Sequence, residues 1–231
     1  MIRIAGLQKM TLMDYPGKVG AAVFLAGCNF HCGFCHNPEI VEFKPDLPLI
    51  SEQEFFNFLQ ARRGLLDGVV ISGGEPLIHP ELPEFLQKIK ALGYAIKLDT
   101  NGLNYALLKQ ILSQNIVDYI AMDIKASLGN YTKVTNTRAD FDNILASIKA
   151  IMASGIDYEF RTTVMPRFHD AQEMEKIGQM ISGARKYYLQ NFRNHKTLDP
   201  SFKEDNCFTE RELENLKQIA SQYVKQCEIR N

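Results

Sequence analysis

The sequence predicts an α/β fold in which parallel strands alternate with helices. Three observations carry this. Short apolar runs of strand type recur along the chain, each is followed by a segment with helical periodicity, and no linker or low-complexity stretch breaks the alternation. The 231 residues are 45% hydrophobic, enough for one domain spanning 1–231 with a sizeable core.

The elements follow in order. The run Val19–Ala26 within Lys18–Ala26 reads as a buried strand. Ser51-Glu-Gln-Glu54 has the pattern of a capping box and precedes the apolar positions Phe55, Phe56, Phe58 and Leu59 of a helix. Gly68–Ser72 is a short buried strand, and His79–Leu92 is amphipathic, with Pro80 near its start and Gly93 beyond its end. Strands are expected at 94–98, 117–122, 157–164 and 186–190, and helices at 105–113, 141–153 and 171–181. A long closing helix is expected at about 209–227, with Cys227 inside it. About six strand–helix units result, too few for a closed eight-stranded barrel. A partial (β/α)6 barrel of parallel strands or an open doubly wound sheet fits, and both bind ligands at the carboxyl ends of the strands.

The formal net charge is −1, which gives no general attraction to nucleic acid or membrane. No apolar run reaches the roughly 18–20 residues that span a bilayer, and the first residues lack the layout of a signal peptide. Of the five cysteines, Cys28, Cys32 and Cys35 cluster, while Cys207 and Cys227 stand apart and read as plain thiols. An odd, clustered count is not a disulfide framework, so a soluble protein of the reducing cytoplasm is expected.

Cys28, Cys32 and Cys35 lie in the loop 27–37 with the spacing C-x3-C-x2-C. Three thiolates on one loop can hold three corners of an iron–sulfur cube and leave the fourth iron open to a substrate, whereas clusters that only carry electrons usually have four cysteine ligands. The alternative is structural zinc in an interaction module, but zinc normally takes four ligands, often as two separated pairs. Only His31 or His36 stands nearby to complete such a set.

The other motifs follow the later strands. Gly73-Gly74-Glu75-Pro76 ends the second; its glycines permit close approach of a ligand, and its carbonyls and carboxylate suit an ammonium group. Asp99-Thr100-Asn101-Gly102 follows the third, and Asp123-Ile124-Lys125 the fourth. Residues two apart on an extended segment point the same way, so Asp123 and Lys125 either pair or receive polar groups of a ligand. Arg161 on the fifth strand requires a partner or a cleft, and Gln190 ends the sixth.

The triplet after the first strand, with Gly-Gly-Glu after the second, resembles the radical S-adenosylmethionine superfamily across nearly the whole chain. The resemblance implies a partial barrel holding one [4Fe-4S] cluster on Cys28, Cys32 and Cys35, whose open iron chelates the amino and carboxylate groups of S-adenosylmethionine. It places Gly73, Gly74, Glu75 and Pro76 at the cofactor's amino group and Phe34 against its adenine. His36, Asp99, Asp123, Lys125, Arg161 and Gln190 join the cofactor-binding set. No cysteine lies between Cys35 and Gly73, so a single cluster is expected.

Cys35-His36-Asn37, Asp99–Gly102 and Asp123–Lys125 are similar to motifs of the glycyl radical enzyme activases. Gly6–Lys9, Asp14–Lys18, Cys28–Phe30, Tyr188–Arg193 and Lys196–Asp199 are similar to the activating proteins of anaerobic ribonucleoside-triphosphate reductase. The implied activity is reductive cleavage of S-adenosylmethionine to a 5′-deoxyadenosyl radical, which takes a hydrogen atom from a glycine of the partner. Flavodoxin or ferredoxin is the implied electron donor, and no residue is assigned as acid, base or nucleophile. A radical enzyme acting on a small molecule such as a nucleotide precursor is the alternative.

Overall fold

A computed structural model describes residues 2–44 and 46–230. Its strands are β1 (Ile4–Thr11), β2 (Gly20–Leu25), β3 (Gly68–Gly73), β4 (Ala95–Thr100), β5 (Tyr119–Asp123), β6 (Asp157–Val164), β7 (Tyr187–Asn191) and β8 (Cys227–Arg230), and they follow one another in chain order in a mostly parallel sheet. The helices are α1 (Pro38–Val41), α2 (Glu52–Ala61), α3 (Leu82–Ala91), α4 (Tyr105–Ser113), α5 (Tyr131–Thr135), α6 (Asp142–Ala153), α7 (Ala171–Met180) and α8 (Glu210–Ala220). No helix among the described residues is long and apolar enough to cross a membrane.

The chain packs as two units. The first comprises the residues up to Asn29, Glu39–Thr100 and Asn104–Ile120. In it β2, β3 and β4 are parallel, with Gly20 opposite Gly68 and Gly68 opposite Ala95, and the Asp118 amide continues the ladder to Ile96 O at 2.8 Å. Strand side chains alternate between faces. One face carries Ala22, Val70 and Tyr119, closed by Tyr15. The other carries Val69, Ile71, Ile96 and Leu98, all buried. On the helices, the Phe55 ring of α2 stacks on Phe85 of α3 at 5.3 Å, and Tyr94 Oη donates to Leu59 O at 2.6 Å.

The second unit comprises Phe30–Pro38, Asn101–Leu103 and the chain from Ala121 onward. Here the Ile124 amide donates to Arg161 O at 2.8 Å, β6 runs parallel to β7 with Arg161 opposite Tyr188, and β7 runs parallel to β8 with Gln190 opposite Arg230. Tyr187, Phe160, Leu189 and Ile177 form its buried interior. Tyr187 Oη donates to Thr162 Oγ1 at 2.6 Å, so the deepest phenol has a partner.

The six expected strand–helix units are present as β2 to β7 with their helices, and two strands add to them. β1 runs antiparallel to β2 through Ile4 opposite Leu25 and Thr11 opposite Gly20. The second addition corrects the expected closing helix. α8 stops at Ala220, and Cys227 opens β8. Tyr223 O accepts from the Gly183 amide, the Lys225 amide donates to Ala184 O, and Gln226 O accepts from the Tyr187 amide. These bonds to the approach of β7 take the backbone groups a longer helix would have used, and draw the chain into extended form. The expected helix at 79–92 likewise begins later, at Leu82, because Pro76–Ile78 forms a separate turn of 3-10 helix.

Candidate active site

In the first unit the turn after β3 is sewn onto the exit of β2. The Gly74 amide donates to Leu25 O at 2.9 Å and the Glu75 amide to Gly27 O at 2.8 Å. Gly73 has φ +125°, and a Cβ on Gly74 would overlap the carbonyl oxygen of Gly27. Only glycine lets these two backbones approach so closely. The cysteine loop is anchored from its other side, where the Gly27 amide donates to Ile40 O at 2.6 Å and the Cys28 amide to Val41 O at 2.9 Å. Glu75 is buried; its Oε1 accepts from the Leu77 amide at 2.9 Å and from Thr100 Oγ1 at 2.7 Å. The carboxylate therefore ties the end of β3 to the end of β4. Pro76 opens the 3-10 turn.

Two polar groups of this unit were not anticipated. His79 is buried with its Nε2 2.9 Å from Ala26 O, and burial lowers its pKa. Lys97, 2% exposed in the middle of β4, forms an ion pair with Asp99. Its place between the apolar residues Ile96 and Leu98 was the available signal, since a buried lysine requires a partner for its charge.

In the second unit Cys32 and Cys35 stand at a tight turn closed by the Cys35 amide donating to Cys32 O at 3.0 Å. The Asn37 amide points at Cys35 Sγ at 3.4 Å, a donor suited to a thiolate. Cys32 is buried. Burial pushes its thiol up to about 11, while the Lys125 ammonium pulls the other way. Gly33 lies beneath Phe202, whose ring a Cβ would strike, and Gly33 O accepts from the Asp199 amide at 2.9 Å. Phe34 is buried with its ring centroid 6.3 Å from those of Phe168 and Phe202. His36 stacks on Phe192 and His195, and its Nε2 lies 3.0 Å from Arg193 O.

Asp123, Lys125 and Arg161 come together. Arg161 Nε donates to Asp123 Oδ1 at 2.9 Å and Lys125 Nζ to Asp123 Oδ2 at 3.1 Å. Burial alone would raise the Asp123 carboxyl, but Arg161 and Lys125 outweigh it and bring it down to about 2. Lys125 is held cationic in turn: burial opposes its charge, and Asp123 overcomes it. Two further groups fix the segment from behind. The Lys125 amide donates to Tyr131 Oη at 3.1 Å, and Lys125 O lies 3.0 Å from His169 Nε2. Gln190 sits inside β7, opposite Thr163 on one side and Arg230 on the other.

The donor chemistry fits an iron–sulfur group. Three thiols stand on one loop, an amide faces one sulfur, and the Lys125 ammonium favours the charged form of Cys32 electrostatically. The family model described as Radical SAM superfamily matches residues 23–181. The chain belongs to this superfamily. Within it, the radical SAM chain is 31% identical over 236 residues to a Methanocaldococcus jannaschii protein provisionally named a glycyl-radical enzyme activating enzyme, covering 98% of this chain and 95% of that one. It is 30% identical over 194 residues to the pyruvate formate-lyase-activating enzyme of Clostridium pasteurianum, covering 80% and 78%. Among solved structures, a domain of the pyruvate-formate lyase-activating enzyme from Bacteroides vulgatus superposes with a TM-score of 0.57 at 17% identity, covering 71% of this chain and 99% of that one, a likeness of fold. The protein is thus a radical SAM enzyme of the glycyl radical activase type, and the family implies S-adenosylmethionine and an iron–sulfur cluster.

Proposed function

We propose that this activase installs a glycyl radical in anaerobic ribonucleoside-triphosphate reductase, using one [4Fe-4S] cluster held by Cys28, Cys32 and Cys35. One observation supports the choice of partner. Of the late stretches Tyr188–Arg193 and Lys196–Asp199, which resemble the reductase activases, the second meets the cysteine loop, with the Asp199 amide donating to Gly33 O at 2.9 Å. A segment touching the residues between two cluster ligands is placed to shape what reaches the cluster.

When bound, the cluster and S-adenosylmethionine supply a one-electron reductive cleavage, with flavodoxin or ferredoxin as electron source. The chain's own residues bind and orient. The Gly73–Pro76 turn offers its carbonyls to the cofactor's ammonium, while Glu75 fixes the shape of that turn through Leu77 and Thr100. Lys125 and Arg161 meet the carboxylate, each oriented by Asp123. Asp99, turned by Lys97, serves a hydroxyl or ammonium of the cofactor. Phe34 and its aromatic neighbours exclude water beside the ligand pair. His36 and Gln190 belong to the same proposed cofactor-binding set.

The test combines the anaerobically reconstituted protein with S-adenosylmethionine, a reductant and either anaerobic ribonucleoside-triphosphate reductase or pyruvate formate-lyase, and reads the glycyl radical by electron paramagnetic resonance. We expect the doublet on the reductase, and about four irons and four sulfides per chain. A doublet on pyruvate formate-lyase alone would reassign the partner. No doublet on either, with turnover of a nucleotide precursor, would favour small-molecule chemistry. One zinc and no sulfide would refute the cluster.

A further inference from the structure

The charged residues of the second unit form a longer row than cofactor binding requires. Lys125 pairs with Asp123, and Asp123 with Arg161 Nε. Arg161 Nη1 stands 4.0 Å from Glu159 Oε1. Glu159 in turn holds Arg230 through two bonds, Nη1 to Oε1 at 2.7 Å and Nη2 to Oε2 at 3.0 Å. Charge alternates along the whole row, from Lys125 at one end to Arg230 at the other. Glu159 and Arg161 are two apart on β6 and so share a face of the sheet. Arg230 reaches that face from β8, its guanidinium 3.8 Å over the Tyr188 ring of the strand between.

Glu159 is 0% exposed. A buried carboxylate is costly unless paired, and the fork-to-fork match with Arg230 is the geometry that offsets the cost. Such a pair adds little net stability over apolar residues of the same volume, so its use here lies in orientation. A guanidinium is planar, and two anchors on different nitrogens fix its plane. Arg161 has Asp123 on Nε and Glu159 facing Nη1.

We propose that Glu159 and Arg230 are positioning residues for the cofactor site, holding the Arg161 guanidinium, and through it Asp123, in the arrangement that receives the carboxylate of S-adenosylmethionine. The inference rests on the assignment of Asp123, Lys125 and Arg161 to that carboxylate. Groups that orient a binding residue from behind are worth about 10–100-fold in affinity at metal sites, which sets the scale expected here.

The test measures equilibrium binding of two ligands to the anaerobically reconstituted full chain. One is S-adenosylmethionine; the other is 5′-methylthioadenosine, which keeps the adenosine and lacks the amino and carboxylate arm. Arg230→Gln removes both bonds of a guanidinium to a buried carboxylate, so the decisive variant is the double Glu159→Gln/Arg230→Gln, a neutral pair that can still hydrogen-bond. We expect its affinity for S-adenosylmethionine to fall about tenfold or more, with 5′-methylthioadenosine binding, iron content and thermal midpoint unchanged. Arg230→Lys, which keeps the charge without the fork, should retain only part of the affinity. Unchanged binding of S-adenosylmethionine in the double variant, or an equal loss for both ligands, would overturn the positioning role. If Arg161→Gln and Asp123→Asn also leave S-adenosylmethionine binding intact, the carboxylate assignment itself fails.

Discussion

At Gly74 a single methyl group would stand on the carbonyl oxygen of Gly27. The obstacle is backbone at the root of the cysteine loop, not the end of a flexible side chain. Gly74→Ala should therefore cost more than the about 1–3 kcal/mol of ordinary overpacking. It should lower both the thermal midpoint and the iron taken up on reconstitution; normal values of both would show that the loop yields. Cys32→Ala acts differently. It removes a buried thiol of modest volume, so the apo fold should survive while cluster assembly and cleavage of S-adenosylmethionine are lost, as read by absorbance and by product chromatography. Lys97 and Asp99 form a third case. Lys97→Met removes the ammonium beside Asp99 and should destabilise by up to about 3–5 kcal/mol in urea unfolding, with Lys97→Met/Asp99→Asn recovering much of the loss. A double variant no better than the single one would mean that the lysine stem, rather than its charge, matters there.

At the scale of elements, the helix starts are set locally. Ser51 and Glu54 form the reciprocal capping box of α2, and Thr209 and Glu212 form another at α8. Ser51→Ala should cost about 1 kcal/mol, seen as a lower urea midpoint at unchanged slope. Both boxes lie within four residues of sequence, which is why these helix starts are legible without a structure. The ends are less so. Nothing between Ser221 and Gln226 forbids helix, yet Gly183, Ala184 and Tyr187 capture that segment's backbone and turn it into β8. β1 was missed for a similar reason: its exposed Gln8, Lys9 and Met10 blur the alternation, and it is pairing with β2 that makes it a strand.

For the molecule as a whole, acid stability reports on the Asp123 site. The Asp123 carboxyl titrates at about 2, below the usual carboxylate value, because Arg161 and Lys125 favour its anion. A group depressed on folding adds stability above its unfolded pKa of about 3.9 and loses it as pH falls through the folded value. The contribution should therefore be full above about pH 4 and fade toward pH 2. Asp123→Asn should flatten that part of the unfolding curve followed by circular dichroism; a variant curve parallel to wild type would assign the acid transition elsewhere. The candidate site is legible in the chain because its chemistry is local. The C-x3-C-x2-C loop, the Gly-Gly-Glu-Pro turn and the pair Asp123 and Lys125 each lie within a few residues, and the alternating pattern puts them after successive strands. What joins distant residues could not be read. Thr100 reaches Glu75 across 25 positions, the Asp199 amide finds Gly33, and Arg230 finds Glu159 across 71. The sequence by itself determined the kind of chemistry and the strand–helix units from β2 to β7, since residue type, short spacing and local periodicity decide those. Only the tertiary structure decided which charges are buried and which partner holds each one, because strand register and burial are properties of the packed chain.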